Sequence, residues 1–264
     1  MDERKIKVGI VVLAINLWDR YTKPCLDSIN TKHDYRIIFV DNASYDNTKE
    51  EASKLVSDKF AHKRNEENWG CQKSWNYAIE DSWEKGCDYV LVLNNDVLLH
   101  PMCVDQLVER MERKDEDVVL VSAMDLREEV PIPTMLMALA PDFKDSVGES
   151  ENPNFSAFMI NRKYWDVIGE FDELFFPAYF EDNCAHYRIK LAGLKAVCYP
   201  PAFFYHFGSR TQNEAIGRPI SPGQSFEKNK ESYFVKWGGL PGTEKFKTPY
   251  DDPSKTIKSV KQHL

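Results

Sequence analysis

The sequence lacks three features, each of which is typical of a class of protein. No apolar run approaches the roughly 20 residues that a membrane-spanning helix needs. None of the six cysteines forms a CxxC pair, which argues against a structural zinc site or a redox motif and favours the reducing cytoplasm. No glycine-rich phosphate loop, of the GxGxxG or the GxxxxGK[ST] type, follows a strand-like segment. If the chain binds a phosphorylated ligand, it does so without such a loop.

The 264-residue chain is ordinary in composition but uneven in charge. Its hydrophobic content of 42% and charged content of 29% are those of a globular protein. The net charge is −8, yet residues 218–264 carry nine basic and five acidic side chains, a charge of +4, which leaves −12 on residues 1–217. A basic tail on an acidic body suits an anionic partner, although a tail that is merely solvated is the more common case.

Apolar segments alternate with helix-like segments through the first half of the chain. Four continuous apolar runs, rich in β-branched residues, predict strands that are buried on both faces. They span residues 6–15, 35–41, 88–96 and 117–124. Four helices are predicted near residues 19–30, 46–60, 69–85 and 102–114. This alternation predicts an α/β fold, a single Rossmann-like domain with a mostly parallel central sheet.

The second half of the chain is less regular. Residues 125–153 contain four prolines and an acidic, polar run, which predicts a long irregular insert over a binding face. Order is expected to resume at 154–176, with a helix from Glu181 and a short strand within 203–211. A last helix is predicted at 225–237, either packed on the sheet, with Phe226, Tyr233, Phe234 and Trp237 as anchors, or forming part of a ligand-binding tail.

These features divide the chain into two parts. Residues 1–217 are interpreted as the main domain, with halves at 1–124 and 125–217. Residues 218–264 are interpreted as a basic C-terminal extension.

Polar side chains stand where the first three predicted strands end. Asn16 follows the first strand, Asp41 ends the second, and the third ends in Asn94, Asn95 and Asp96. The carboxyl ends of parallel strands form the ligand-binding edge of an open sheet, so these groups are expected together. Amides suit a base and a ribose, and a carboxylate suits a hard cation that would hold a diphosphate. The alternative for each residue is a turn at the strand end.

Six short motifs follow one another in a fixed order along most of residues 6–211. They are VVLAIN, FVDNAS, NEENWGCQKSWNYAI, VLNNDV, GEFDELFFPAYFED and YHFGS. In this order they resemble the motifs of a family-2 glycosyltransferase with the A-type nucleotide-sugar fold. VLNNDV falls where that family has Asp-x-Asp, and its Asn-Asn-Asp form is similar to the rhamnosyltransferase-like branch.

The resemblance implies nucleotide-binding roles for five residues. Asp41 matches the residue that accepts a hydrogen bond from a pyrimidine ring, and Asn16 lies beside it. Asn68 belongs to the family's Asn…Asn-x-Gly…Asn stretch. Asn94 matches the residue near the ribose, with Asn95 next to it. These roles are expectations that the resemblance carries.

The resemblance also implies a metal site and a general base. Asp96 and His206 match the metal ligands, for Mn²⁺ or Mg²⁺, and Asp182 matches the base of an inverting transfer. The family usually has a second Asp two residues after that base, and this chain has Cys184 there. The alternatives are a structural histidine and an acidic pair that only stabilises a helix N-terminus.

The resulting expectation is a metal-dependent, inverting glycosyltransferase of the hexosyltransferase type. The donor is a nucleotide diphosphate-sugar, with UDP as the first candidate and dTDP as the second. The acceptor is a hydroxyl group on a glycan or another polymer, and the basic tail allows an anionic one. Two alternatives stay open: a non-catalytic nucleotide- or glycan-binding module on the same fold, and transfer to modified nucleic acid, which the net charge does not indicate.

Overall fold

The computed structural model describes residues 5–113, 115–126, 148–208 and 222–258 of the chain. Within these residues, one sheet of eight strands forms the centre of the molecule. The strands are β1 (Lys7–Ala14), β2 (Asp34–Asp41), β3 (Phe60–Arg64), β4 (Tyr89–Asn94), β5 (Val97–Leu99), β6 (Val118–Leu126), β7 (Ala157–Asn161) and β8 (Lys195–His206). The predicted α/β, Rossmann-like fold is confirmed.

The strand order of the sheet is β3-β2-β1-β4-β7-β6-β8-β5. The first four strands are parallel to one another, and β6 is parallel to β8. Strand β7 runs antiparallel to both β4 and β6, and β5 runs antiparallel to β8 at the edge. The sheet is therefore mostly parallel, as the alternation of apolar and helix-like segments predicts.

Helices flank the sheet. Those described are α1 (Lys23–Asp27), which continues a π-helical turn at Trp18–Thr22, α2 (Thr48–Lys54), α3 (Gly70–Glu84), α4 (Cys103–Met111), α5 (Arg162–Val167), α6 (Glu181–Leu191) and α7 (Pro222–Trp237). Two short 3₁₀-helices lie at Glu173–Phe175 and Pro249–Asp251. In the described part of the chain, no helix has the length and apolar character that crossing a bilayer requires.

The sheet is buried on both faces, because alternate residues of each strand face opposite apolar layers. In β1, Ile10 belongs to the same core cluster as Leu107 of α4. Its neighbour Val11 belongs to the cluster that contains Trp75 and Ile79 of α3. This two-sided burial explains why β1 reads as an unbroken apolar run and lacks a period of two.

Two elements differ from the sequence-based expectation. The helix predicted at 46–60 ends at Lys54, because Phe60 is buried and begins strand β3, where it pairs with Ile37 of β2. The strand predicted at 88–96 ends at Asn94, and a turn at Asn95 and Asp96 separates it from the short strand β5, which was not predicted. Most of the predicted insert, residues 127–147, lies outside the described residues.

The helix predicted at 225–237 is confirmed within α7. Its anchors are only partly those expected, since Tyr233 and Trp237 are fully buried while Phe226 is 41% and Phe234 54% exposed. Tyr233 and Trp237 join a small core cluster with side chains of the segment that leads into α6. The helix therefore packs on the part of the chain that contains the predicted base.

Candidate active site

The carboxyl ends of β1, β2 and β4 meet at one edge of the sheet, as predicted. In the parallel registers, Ala14 of β1 is opposite Asp41 of β2, and Leu13 is opposite Asn94 of β4. The backbone amide of Asn16 donates to Ser44 Oγ at 2.7 Å, which joins the ends of β1 and β2 directly. The structure thus places three of the predicted nucleotide-binding residues side by side.

The carboxylate of Asp41 organises the loop that follows β2. It is fully buried, and it accepts hydrogen bonds from the Ser44 backbone amide at 2.8 Å and from Arg64 Nη1 at 2.5 Å. Arg64 Nη2 also donates to the Ser44 carbonyl at 2.8 Å. Asp41 therefore stabilises the turn after β2. A contact between Asp41 and a pyrimidine stays a prediction.

The side-chain oxygen of Asn16 holds the loop after β2, whereas its side-chain nitrogen makes no hydrogen bond to the described residues. Its backbone is left-handed at φ 59°, and its Oδ1 accepts from the Tyr45 amide at 2.9 Å. Its buried Nδ2 has no hydrogen-bond partner among the described residues. Because a buried unsatisfied donor is costly, an acceptor on a bound nucleotide would complete its bonding.

Asn68 ties the end of β2 to the start of α3. Its Oδ1 accepts from Asn42 Nδ2 at 2.7 Å and from the Gly70 amide at 2.9 Å. Gly70 has φ +75°, and a Cβ there would lie 2.9 Å from the Phe176 ring, so the position requires glycine. The Asn-x-Gly part of the motif thus has a structural reason, and the nucleotide contact of Asn68 stays a prediction.

The two asparagines at the end of β4 differ in their surroundings. Asn94 is half-buried at the strand end, beside β1. Asn95 is buried, and its Nδ2 donates to Thr22 Oγ1 at 2.9 Å, which fixes the turn against the π-helical segment. Asn94 is therefore the better placed of the two for a ligand.

The pairing of β5 with β8 brings Asp96 next to His206. Val97 is opposite His206 in the antiparallel register, and the Phe207 amide donates to the Asp96 carbonyl at 3.0 Å. As a result, His206 Nε2 lies 3.3 Å from Asp96 Oδ1. The two residues that the resemblance assigns to a metal are neighbours, although 110 positions separate them in the sequence.

A second carboxylate, Asp125, lies behind the His206 ring. It follows the apolar part of β6, and its Oδ2 is 3.5 Å from His206 Nδ1. Burial lowers the pKa of His206, but contacts with Asp125 and Asp96 outweigh this and raise the pKa to about 9. The sequence analysis overlooked Asp125, although it ends an apolar strand in the same way as Asp41 does.

The donor set fits a divalent cation with few protein ligands. Within the described ranges, no group of three or more His, Cys, Asp or Glu side chains could hold a metal ion by itself. Mg²⁺ typically keeps several waters and substrate phosphates, with one or two protein carboxylates. Neighbouring ligands of an octahedral ion with bonds of about 2.1 Å stand roughly 3 Å apart. The 3.3 Å between Asp96 Oδ1 and His206 Nε2 is close to this spacing.

Glu181 and Asp182 begin helix α6, and their environments differ. Glu181 is buried and accepts from Gln72 Nε2 at 3.2 Å, whereas the side chain of Asp182 is half-buried. Burial raises the pKa of both carboxyl groups, and the charge of Asp182 raises that of Glu181 further. Of the pair, Asp182 is the one that an acceptor can reach.

Comparison with known families identifies the fold at this edge. The model of the family described as Glycosyl transferase family 2 matches residues 10–164, more than half of the chain. The chain belongs to glycosyltransferase family 2. Family-2 membership supports transfer of a sugar from a nucleotide-sugar donor to an acceptor. The family-2 match contains Asn16, Asp41 and Asp96, whereas Asp182 and His206 follow it along the chain. No curated protein matches the chain significantly.

The raised pKa of Glu181 predicts a pH-dependent contribution to stability. Because its folded pKa lies above the ordinary 4.5, the folded state binds the proton more tightly than the unfolded state does. The contribution is therefore complete below that value and is lost as the pH rises through the folded pKa. Glu181→Gln, which keeps the shape without the charge, should lose less thermal stability between about pH 5 and pH 8 than the wild type, by roughly 2–4 °C for each kcal/mol removed.

The matched control is Glu173→Gln, which changes an exposed carboxylate on the neighbouring 3₁₀-helix. It should keep the wild-type dependence of melting temperature on pH. An equally steep loss in Glu181→Gln and in the wild type would show that Glu181 is not desolvated as described.

Proposed function

We propose that the chain is a metal-dependent, inverting glycosyltransferase of the hexosyltransferase type, in the rhamnosyltransferase-like branch. The observation that carries the proposal is the contact of Asp96 with His206 at the edge where β1, β2 and β4 end. Asp96 Oδ1 and His206 Nε2 would hold Mn²⁺ or Mg²⁺, with Asp125 orienting the ring through Nδ1. When bound, the ion would neutralise the diphosphate and stabilise the charge of the leaving group.

The donor would lie along the ends of the parallel strands. Asp41 and Asn16 would contact the base, Asn94 and Asn95 would contact the ribose, and Asn68 supports the loop beside them. We propose a UDP-sugar first and a dTDP-sugar second, because both pyrimidines offer the same ring N–H to Asp41. The unsatisfied Nδ2 of Asn16 supports a ligand with acceptors at this edge.

Asp182 would act as the general base. Its carboxylate takes the proton of the acceptor hydroxyl as that oxygen attacks the anomeric carbon, and the nucleoside diphosphate leaves from the opposite face. One displacement inverts the configuration. Desolvation supports this role, because a carboxylate with a raised pKa is a stronger base near neutral pH. Glu181, which is buried against Gln72, would position the start of the helix and keep out of the reaction.

The acceptor is proposed as a hydroxyl group of a glycan or another polymer, in the cytoplasm, with the basic residues of 218–264 favouring an anionic one. The main alternative is a non-catalytic binding module. A desolvated carboxylate at the start of α6 supports the enzyme, because a module that only binds has no need of a base. Release of sugar to water from a nucleotide-sugar panel separates the two, since a binding module releases none.

Replacing the base should separate binding from turnover. Asp182→Asn keeps the size of the side chain but cannot accept the proton, so turnover should fall by roughly 10²-fold or more. Affinity for UDP, measured by calorimetry, should stay nearly unchanged, because the proposed nucleotide-binding residues belong to other elements than α6. Asp166→Asn, on the exposed side of α5, should match the wild type. Near-normal turnover in Asp182→Asn would place the base elsewhere.

The metal proposal predicts that Asp125 strengthens metal binding, and measured Mn²⁺ affinities test this. Chelation with EDTA should abolish donor turnover, and Mn²⁺ or Mg²⁺ should restore it. Asp125→Asn removes the carboxylate behind the ring, and loss of such a partner typically weakens metal binding by about 10–100-fold. Titration of Mn²⁺ in the presence of UDP, followed by electron paramagnetic resonance, measures the Mn²⁺ affinity directly.

Asp27→Asn, at an exposed ion pair on α1, is the control for that titration and should bind Mn²⁺ like the wild type. Full turnover in the presence of EDTA would refute the metal requirement. An unchanged Mn²⁺ affinity in Asp125→Asn would refute the positioning role of Asp125 alone.

A further inference from the structure

We propose that helix α7 is part of the catalytic unit and that Asn229 is its positioning residue. Asn229 holds the loop of residues 175–180, which leads directly into Glu181 and Asp182. The inference rests on the proposed role of Asp182 as the base. It assigns a catalytic purpose to the beginning of the C-terminal extension, which the family-2 match at residues 10–164 does not reach.

The amide of Asn229 is surrounded by carbonyl groups of that loop. The side chain is fully buried, and its Nδ2 donates to the carbonyl oxygens of Phe175 at 2.7 Å and Ala178 at 2.8 Å. The carbonyls of Tyr179 and Phe176 are also near, at 3.2 and 3.4 Å. An amide group has two protons, so the two short bonds use both of them. One side chain therefore fixes the backbone conformation of the loop.

The loop is held from the opposite side by Gln72 of α3. Gln72 Nε2 donates to the Phe175 carbonyl at 2.8 Å and to Glu181 Oε2 at 3.2 Å. The Phe175 carbonyl thus accepts from both amides. The contacts form a continuous path from α7, through the loop and Gln72, to the acidic pair.

The backbone of the loop needs such support. Tyr179 and Phe180 are both left-handed, with φ of 79° and 72°, although neither is glycine. Residues other than glycine keep a left-handed backbone only where the surrounding structure fixes their conformation. Phe180 is the residue before Glu181, so relaxation of this pair would turn the first residues of α6 and move Asp182.

Other contacts fix the position of α7 itself. Lys236 forms a buried ion pair with Asp172, and the buried rings of Tyr233 and Trp237 join the cluster that contains Phe175. These side chains carry the packing of the helix, so replacing them would test folding more than positioning. Asn229 instead donates hydrogen bonds directly to the loop backbone, so substitutions at this position test the positioning of the loop.

The expected defect is one of turnover. The proposed nucleotide-binding residues lie at the ends of β1, β2 and β4 or, for Asn68, just before α3, and none of the described hydrogen bonds of Asn229 involves them. A catalytic group that is misplaced by about 1 Å can cost roughly 10²-fold in rate. We therefore expect Asn229→Ala to lower kcat by about 10-fold or more, while KM for the donor and Kd for UDP change by no more than about 2-fold.

The experiment compares two substitutions at this position with one control on the same helix. Asn229→Ala removes both the volume and the amide group, whereas Asn229→Leu keeps the branched shape and removes only the amide group. The control is Ser232→Ala, which affects only a hydrogen bond to the Lys228 carbonyl of the same helix. Turnover is measured as nucleoside diphosphate release from the best substrate of a UDP- and dTDP-sugar panel, well below each melting temperature.

The inference expects both Asn229 variants to lose kcat to a similar degree and Ser232→Ala to match the wild type. Wild-type kcat in Asn229→Leu would show that the side chain only fills space, and it would overturn the inference. A higher KM for the donor and weaker UDP binding with unchanged kcat would overturn it as well. If neither variant folds, Gln72→Leu decides, because it releases the loop from the other side, and wild-type kcat there overturns the inference.

Asp182→Asn, measured in parallel, separates this inference from the proposed function. If Asp182→Asn loses turnover and both Asn229 variants keep it, the positioning role is wrong and the proposed base stands. If Asp182→Asn keeps turnover, the proposed base is wrong, and the positioning of Asp182 by Asn229 is wrong with it.

Discussion

The pairing of β5 with β8 is the interaction on which the site depends. Asp96 ends the turn after β4, and His206 ends the last strand of the sheet, so only this antiparallel pair brings them within 3.3 Å. The same strand β8 pairs on its other side with β6, which places Asp125 behind the ring. One strand thus joins residues from three distant parts of the chain into a single cluster.

Burial then gives these charged groups their properties. At the start of α6, burial raises the pKa of two adjacent carboxyl groups, of which Asp182 is the more accessible. The penalty is tolerated because the segment is held from outside, by Gln72 on one side and by helix α7 on the other. The contacts of Gln72 and helix α7 therefore influence the chemistry that we assign to the acidic pair.

The sequence predicted the elements whose signals are local. Unbroken apolar runs predicted β1, β2 and β6, and polar residues at strand ends predicted Asn16, Asp41 and Asn94 as neighbours. It missed strand β3, because five residues at a sheet edge, with one buried ring, resemble the end of a helix. It missed Asp125 and Asn229, because their roles depend on partners about 80 and 50 residues away, respectively, which only the fold brings near. The predicted insert and the division of the chain into two parts stay predictions.

The most direct test of the account is the position of a metal ion in a crystal grown with UDP and Mn²⁺. Diffraction data collected at the manganese absorption edge locate the ion without assumptions about the protein. The account predicts one anomalous peak within coordination distance of both Asp96 and His206, in contact with the diphosphate. An ordered nucleotide at the strand ends, with no such peak beside these two residues, would contradict it.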